Sequence, residues 1–579
     1  MDDPVGPDPV DRAVGRQPVG RDDWTGDSVG RVIGTVDATP LEFWVAVSPD
    51  RYLQLDDVVA LQRVLPDGEV VKVYGVVDQV RARHEGARFD SDVFLIEDGV
   101  LPAEVAESAR VLATRFEPEI FVPPRPGAVV RIARKEERDA ALFFDRMERR
   151  LPLGLTRSGE SFYANLEFID GTRGAHVNIS GISGVATKTS YATFLLYTLF
   201  TSGVLGRRTL NTKALIFNVK GEDLLFLDRP NNRLTDADRR RYGELGLPVG
   251  PFPSVGVYAP PRRGSVQPVA DVSSRQGGVS VMYWTLAEFC HDDLLPFLFT
   301  DAEDDRAHYT IVVHNVMAQL RKATARPDGG VVIDKVPVAS FSELVRLIED
   351  RVLAEDTRGM WAGSAIGQGT INAFLRRLFG VSRHVEHLLR GGVGAEAVHK
   401  VELDKQVSVV DLHNLHDRAQ RFVVGVMLRK VFEEREARGR GDDLLCVVLD
   451  ELNKYAPAEG SSPIKEILLD VAERGRSLGV VLIGAQQTAS EVERRIIANS
   501  SIRVVGRLDP AEAGREQYGW MPSSLRQRST ILKPGMMVVG QPELPIPMVV
   551  EFPFPAWATR AEEAVVSDPG DDPFAGIPR

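Results

Sequence analysis

Cysteine is nearly absent: the 579-residue chain carries two, Cys290 and Cys446. They lie far apart and in no metal-ligand spacing, so a disulfide framework or a zinc site is not expected, and a reduced, cytoplasmic setting is. Cys446 sits inside an apolar run and is expected in the core. No uninterrupted run of ~18–20 apolar residues occurs, so no membrane span is expected. The acidic, Gly/Pro-rich N-terminus has no apolar stretch of the kind a signal peptide needs. Excess positive charge is missing too: 70 Lys and Arg stand against 82 Asp and Glu, a net charge of −12. That argues against broad non-specific nucleic-acid binding but allows a local basic channel, because only the phosphate-facing surface must be positive. No Gly-x-Ser-x-Gly elbow and no repeat of solenoid length occurs. His384-Val-Glu-His387 lacks the His-Glu-x-x-His spacing of zinc hydrolases, and Gly392-Val-Gly394-Ala-Glu-Ala follows no strand. Asp411-Leu-His413-Asn-Leu-His416-Asp417 reads as a strand end rather than a metal site.

What is present is ordinary soluble-protein composition, 43% hydrophobic and 26% charged, in a chain long enough for roughly three to four domains. Residues 1–27 are rich in Asp, Pro, Gly and Arg and read as a disordered arm. Residues 28–140 carry short β-branched segments at Arg31–Val36, Leu41–Val47, Val58–Val64, Glu69–Val77 and Val93–Ile96. Pro-Asp-Gly and Glu-Asp-Gly turns punctuate them, and another strand is predicted over Arg125–Ile132, so the expectation is a small β-barrel. Residues 138–150 read as a charged linking helix.

From about residue 160 strands and helices alternate. Strands are predicted at His176–Ser180, Ala214–Val219, Gln406–Leu412, Leu444–Asp450, Val480–Ala485 and Ile502–Gly506, several of them almost continuously apolar, as in parallel strands covered on both faces. Helices are predicted at Ser190–Phe200, Arg418–Arg435 and Ile464–Ser477. The fold class is therefore α/β: a doubly wound core in two parts, 141–225 and 401–540, split by a mostly helical insertion over 226–400. Residues 541–579, rich in Pro, Ala and acids, read as an extended tail.

The most informative stretch is 174–200: a short strand, a glycine-bearing turn, Lys188-Thr189, then an apolar helix. A phosphate-binding loop needs that order, because turn N–H groups and a helix N-terminus face the anion. Gly181, Ser183, Gly184, Val185, Ala186, Thr187 and Ser190 would form the cradle, Lys188 would reach the phosphates, and Thr189 could hold Mg²⁺. The motif is irregular: Thr187 stands where Gly usually precedes the Lys, and Ile182 where an earlier Gly belongs.

A second element supports it. Leu444-Leu-Cys-Val-Val-Leu-Asp450-Glu451 is an apolar strand ending in two acids, where Asp450 would hold Mg²⁺ and Glu451 would deprotonate the attacking water. The plain alternative is a buried strand capped by acidic loop residues. The next strand ends in Gln486-Gln487, where Gln486 could touch the γ-phosphate or the water. Between them, Arg474 and Arg476 lie at a helix end, where cations suit the dipole or could serve as an arginine finger. Asn218-Val-Lys220-Gly-Glu-Asp223 closes another strand on the same expected edge and could line the site or a DNA-facing loop.

Together these residues resemble HerA-type ATPases, hexameric DNA translocases of the FtsK/HerA branch. A small barrel ahead of the motor, the loop Ile179–Ser190, and the stretch from Asp450-Glu451 through Glu473-Arg-Gly-Arg476 to Gln486-Gln487 carry the resemblance, which covers about 30–540. It implies a RecA-like P-loop core, ATP and Mg²⁺ as cofactors, a homo-hexamer around double-stranded DNA, and Arg476 completing a neighbour's site. It also implies an effector recruited through the barrel, a NurA-type nuclease or a sirtuin-like NADase, in DNA end processing or anti-phage defence. Two alternatives stand beside the translocase: an NTP-binding ring scaffold that activates a partner, and a secretion or conjugation ATPase of related fold.

Overall fold

Short β-branched runs separated by tight turns build the first of two compact units, Met1–Leu142 and Phe143–Arg579. The computed structural model describes residues 28–564 apart from 86, 88, 183–187, 300–306, 394–398, 440 and 442; the predicted arm over 1–27 and residues 565–579 lie outside the described residues. The first unit contains β1 (Ser28–Val32), β2 (Glu42–Val47), β3 (Val58–Val64), β4 (Val70–Glu85), β5 (Glu104–Glu117) and β6 (Val129–Ile132). They close into a barrel in the order β1-β2-β5-β4-β3-β6, and β6 pairs back onto β1. Alternating side chains such as Phe43, Val45, Val59, Leu61, Val73, Val111 and Val130 fill its interior.

The strand expected over Val93–Ile96 is instead part of a helix, Asp92–Glu97, with no buried residue. Its apolar residues are consecutive, and such a run does not by periodicity distinguish strand from helix. β5 carries no clear alternation in its first half, which is charged and mostly exposed, and is buried only from Ala109 onward. The linking helix predicted over 138–150 is shorter, Glu136–Ala141, and Arg150 already opens a strand.

The second unit is built on a 12-stranded sheet. Its strands are β7 (Arg150–Leu155), β8 (Ser161–Asn165), β9 (Val177–Ser180), β10 (Lys213–Asn218), β11 (Val255–Ala259), β12 (Val279–Val281), β13 (Val407–Asp411), β14 (Leu445–Asp450), β15 (Val480–Gln486), β16 (Ile502–Val505), β17 (Met536–Gly540) and β18 (Met548–Glu551). The order is β12-β11-β13-β10-β14-β15-β9-β16-β17-β18-β7-β8. From β12 to β16 every pairing is parallel; from β16 to β8 every pairing is antiparallel. Every residue of β14 and β15 is buried, which explains why both are nearly pure apolar runs. The Lys188–Thr201 helix is buried around most of its circumference, as expected of a helix apolar on all sides.

Two expected boundaries are corrected. The predicted insertion over 226–400 contains β11 and β12, which extend the main sheet; its longest helices, Ala307–Leu320, Phe341–Leu353 and Gln368–Val385, come after them, while Asp236–Glu244 precedes them. Pro- and Gly-rich flanks hid these short strands. The predicted tail from 541 contains β18, and beyond it Trp557 is fully buried against Tyr197 and Phe252, with ring centroids 4.7 and 5.0 Å away. Its prolines are tied down: Asn231 Nδ2 donates to Pro555 O at 3.1 Å, and the Ala558 N–H to Arg229 O at 2.8 Å. Among the described residues no helix is long and apolar enough to cross a membrane.

Two stability predictions follow from this packing. Trp557→Ala should cost about 3–5 kcal/mol, read as a lower urea midpoint; a change under about 0.5 kcal/mol would show that the segment is not core. His176, 2% exposed, accepts the Leu482 N–H at Nδ1 (2.9 Å). Burial pulls its pKa down to about 4. The unfolded imidazole, near ~6.5, takes its proton first, so stability should be full above that pH and fall by up to about 3 kcal/mol as pH drops towards 4. Urea midpoints between pH 7.5 and 4.5 should fall less steeply for His176→Asn; an equal slope would remove His176 as the cause.

Candidate nucleotide-binding site

Parallel strands present their C-terminal ends on one edge, and there the sheet collects the chemistry. Ser180 of β9 lies level with Gln486 of β15, and Asp450 of β14 with Ala485. The chain leaving β9 is fixed to its neighbours: the Gly181 N–H donates to Gln486 O at 3.2 Å and the Ile182 N–H to Arg507 O at 2.8 Å. Ser183, Gly184, Val185, Ala186 and Thr187 lie outside the described residues. Lys188 and Thr189 then open the helix, so both sit at its positive N-terminal end.

Lys188 is 4% exposed and its amine donates to Gly181 O at 2.7 Å. Burial and the charge of Lys220 hold its pKa below the ordinary lysine value, while Asp450 and Glu451 act the other way. The Thr189 hydroxyl donates to Asp450 Oδ2 at 3.0 Å. This contact joins residues 261 positions apart, from strands separated by β15. A hydroxyl and a carboxylate side by side are hard oxygen donors, the kind Mg²⁺ takes alongside phosphate oxygens and water. Ser190 follows on the same helix, half-buried.

Glu451 is buried and left-handed, with φ 57° and ψ 45°. That conformation is costly for a side chain larger than Asn. It turns the chain sharply after β14, and the Glu451 N–H donates back to Asp450 Oδ1 at 2.9 Å. Burial opposes its charge, but a hydrogen bond and the charge of Lys220, helped by Gln487, hold its carboxyl below the ordinary range. Gln487 Nε2 donates to Glu451 Oε1 at 3.2 Å.

Gln486, the glutamine expected to face the nucleotide, does not. Its side chain is fully buried, and Nε2 donates to Asn178 Oδ1 at 2.9 Å and Ser180 Oγ at 2.8 Å. It fastens β15 to β9 under the loop. Gln487, the first residue past the strand, is the one that reaches Glu451. Strand alternation was the signal: consecutive side chains at a strand end point to different sides.

Lys220 is a site residue that the sequence placed only loosely. It lies in the turn after β10, with Nζ 3.2 Å from Asp450 Oδ2 and in contact with Glu451 Oε1. Burial works against its charge, but the two carboxylates hold its pKa above the ordinary lysine value.

Arg474 and Arg476 are not part of this cluster. They lie before the first residue of β15, at the opposite edge of the sheet, about 20 Å away along a seven-residue strand. Arg474 pairs with exposed Glu436 and lies over Phe432. Arg476 donates to Gly171 O at 3.1 Å and Thr172 O at 2.8 Å. Gly171 has φ +86°, and a Cβ there would come within 2.7 Å of Arg476 O, so only glycine fits this approach. The predicted strand end at Asp411 is a strand end, with Asp411 Oδ2 2.8 Å from His413 Nδ1. Among the described residues no cluster of His, Cys, Asp and Glu could hold a metal by itself.

No protein-family model and no curated protein matches the chain. Among solved structures it is similar to VirB4 of Thermoanaerobacter pseudethanolicus, at 14% identity and a TM-score of 0.41, over 70% of this chain and 96% of that one. It is also similar to the bacterial conjugative coupling protein TrwB in complex with sulphate, at 13% identity and a TM-score of 0.47, over 74% and 95%. A third is the genome packaging NTPase B204 from Sulfolobus turreted icosahedral virus 2 in complex with AMP, at 14% identity and a TM-score of 0.21, over 26% and 68%.

The two glutamines should separate in denaturation experiments. Gln486→Leu removes the buried amide donor that Asn178 Oδ1 and Ser180 Oγ share and should cost about 1–3 kcal/mol. Gln487→Ala, at an exposed position, should stay within about 0.5 kcal/mol of the wild type. Equal effects would contradict the placement of their side chains.

Proposed function

We propose that this chain is a Mg²⁺-dependent ATPase, the subunit of a homo-hexameric ring that moves along double-stranded DNA. One observation carries the reading: the Thr189 hydroxyl on Asp450 Oδ2, which joins the Lys-Thr pair of the loop to the acid pair of β14. Mg²⁺, when bound, would supply positive charge to the β- and γ-phosphate oxygens. Thr189 and Asp450 would hold it.

Lys188 would exchange Gly181 O for phosphate oxygen, a charged acceptor for a charged donor. Glu451 would take the proton of the water that attacks the γ-phosphorus, while the bond to the bridging oxygen breaks and the leaving diphosphate carries its charge. Gln487 would orient Glu451.

The position of Arg476 supports a composite site. Within its own chain it lies at the opposite edge of the sheet from Lys188, Asp450 and Glu451, so a phosphate it serves would belong to a neighbouring subunit. The resemblance of these motifs to HerA-type ATPases supports the ring, duplex DNA, and an effector, a nuclease or sirtuin-like enzyme, recruited through the barrel.

Lys188→Ala should abolish nucleotide binding and DNA-stimulated ATP hydrolysis. Glu451→Gln should still bind ATP and lower kcat by about 10²–10⁴-fold. Arg476→Ala should lower kcat by about 10³-fold or more, and mixing it with Lys188→Ala should restore part of the activity, because mixed rings pair an intact loop with an intact arginine. No turnover by the wild type with DNA present would overturn the proposal, and absence of complementation would overturn the role of Arg476.

A further inference from the structure

Asp450 and Glu451 are adjacent, 5% and 6% exposed, at the end of a buried strand. Two neighbouring buried carboxylates require positive charge, because desolvation and mutual repulsion both oppose their ionisation. The Lys188 amine is engaged with Gly181 O. Lys188 also acts on both acids through its charge, and Lys220 lies directly on them, 3.2 Å from Asp450 Oδ2 and in contact with Glu451 Oε1.

The backbone that presents Lys220 is fastened. Asn218 Nδ2 donates to Gly221 O and to Asp411 Oδ1, both at 2.8 Å, and Glu222 accepts the Ser273 N–H at 2.7 Å. Gly221 turns the chain at φ +61°. The side chain itself is 42% exposed, unlike the two buried acids it lies on. It sits on Oδ2, the same oxygen that accepts the Thr189 hydroxyl at 3.0 Å. That oxygen and that hydroxyl are the donors assigned to the metal, so an ammonium and a divalent cation contend for one seat.

We propose that Lys220 is a positioning residue that stands in for the metal before nucleotide arrives. It holds both carboxylates in place in the nucleotide-free chain, yields Asp450 Oδ2 when metal and nucleotide load, and keeps Glu451 aimed at the water. The inference rests on the ATPase reading of this site. It requires that removing the amine shift metal affinity and turnover in opposite directions, since a competitor of the metal is lost along with the support of Glu451.

The test uses the full chain without nucleotide and Mn²⁺ alone as the probe, with free Mn²⁺ followed by electron paramagnetic resonance. Lys220→Met should bind Mn²⁺ about three- to tenfold more tightly than the wild type, and its kcat for ATP should fall by about tenfold or more. Lys220→Arg, which keeps the charge, should lie closer to the wild type in Mn²⁺ affinity than Lys220→Met. If Lys220→Met does not fold, Lys220→Gln makes the same comparison. Unchanged or weaker Mn²⁺ binding, or a wild-type kcat, would overturn the role of Lys220. Failure of the wild type to bind a fluorescent ATP analogue would instead overturn the ATPase reading.

Discussion

The hydrogen bond from Thr189 to Asp450 depends on everything around it being in register. Its partners come from the helix after β9 and from the end of β14, and β15 lies between those strands. A shift of one residue in either pairing would turn the side chains of the cluster to the wrong face. The fully buried interiors of β14 and β15 set that register, because a slip would exchange packed valines and leucines for polar ends. The buried amides of Asn178 and Gln486 add directional bonds where apolar packing has none.

The same edge concentrates charge in a small space. Asp450, Glu451, Lys188 and Lys220 are partners in one electrostatic cluster, and each carries part of the others' desolvation. Burial opposes the charge of Glu451; Lys220 and Lys188 favour it. Glu451 also accepts a left-handed backbone, a local cost that the rigid end of β14 can sustain. On the proposed ATPase reading, this arrangement precedes the ligand, as electrostatic catalysis requires.

The arginines illustrate a separation that no local reading provides. Arg474 and Arg476 are close in sequence to β15, yet a parallel strand carries them to the edge opposite its glutamines. Their own chain holds them by the Glu436 carboxylate and the carbonyls of Gly171 and Thr172. One sheet thus displays two chemically distinct edges, with acids and loop lysine on one and arginines on the other.

Much of this was legible in the residues themselves. The α/β core behind a small barrel followed from runs such as Val58–Val64 and Leu444–Asp450, because burial on both faces or in a barrel leaves a pattern of its own. Lys188-Thr189 and Asp450-Glu451 stood out because the phosphate and metal chemistry proposed for them restricts the residue types. Tertiary structure alone decided the rest. It made Val93–Ile96 a helix, added β11 and β12 to the main sheet, drew Trp557 into the core, turned Gln486 inward and Gln487 toward Glu451, and laid Lys220 across both acids. Those outcomes hinge on which strand lies beside which and on the direction of each side chain at a strand end. Long-range pairing sets both, and a local stretch of sequence does not encode it.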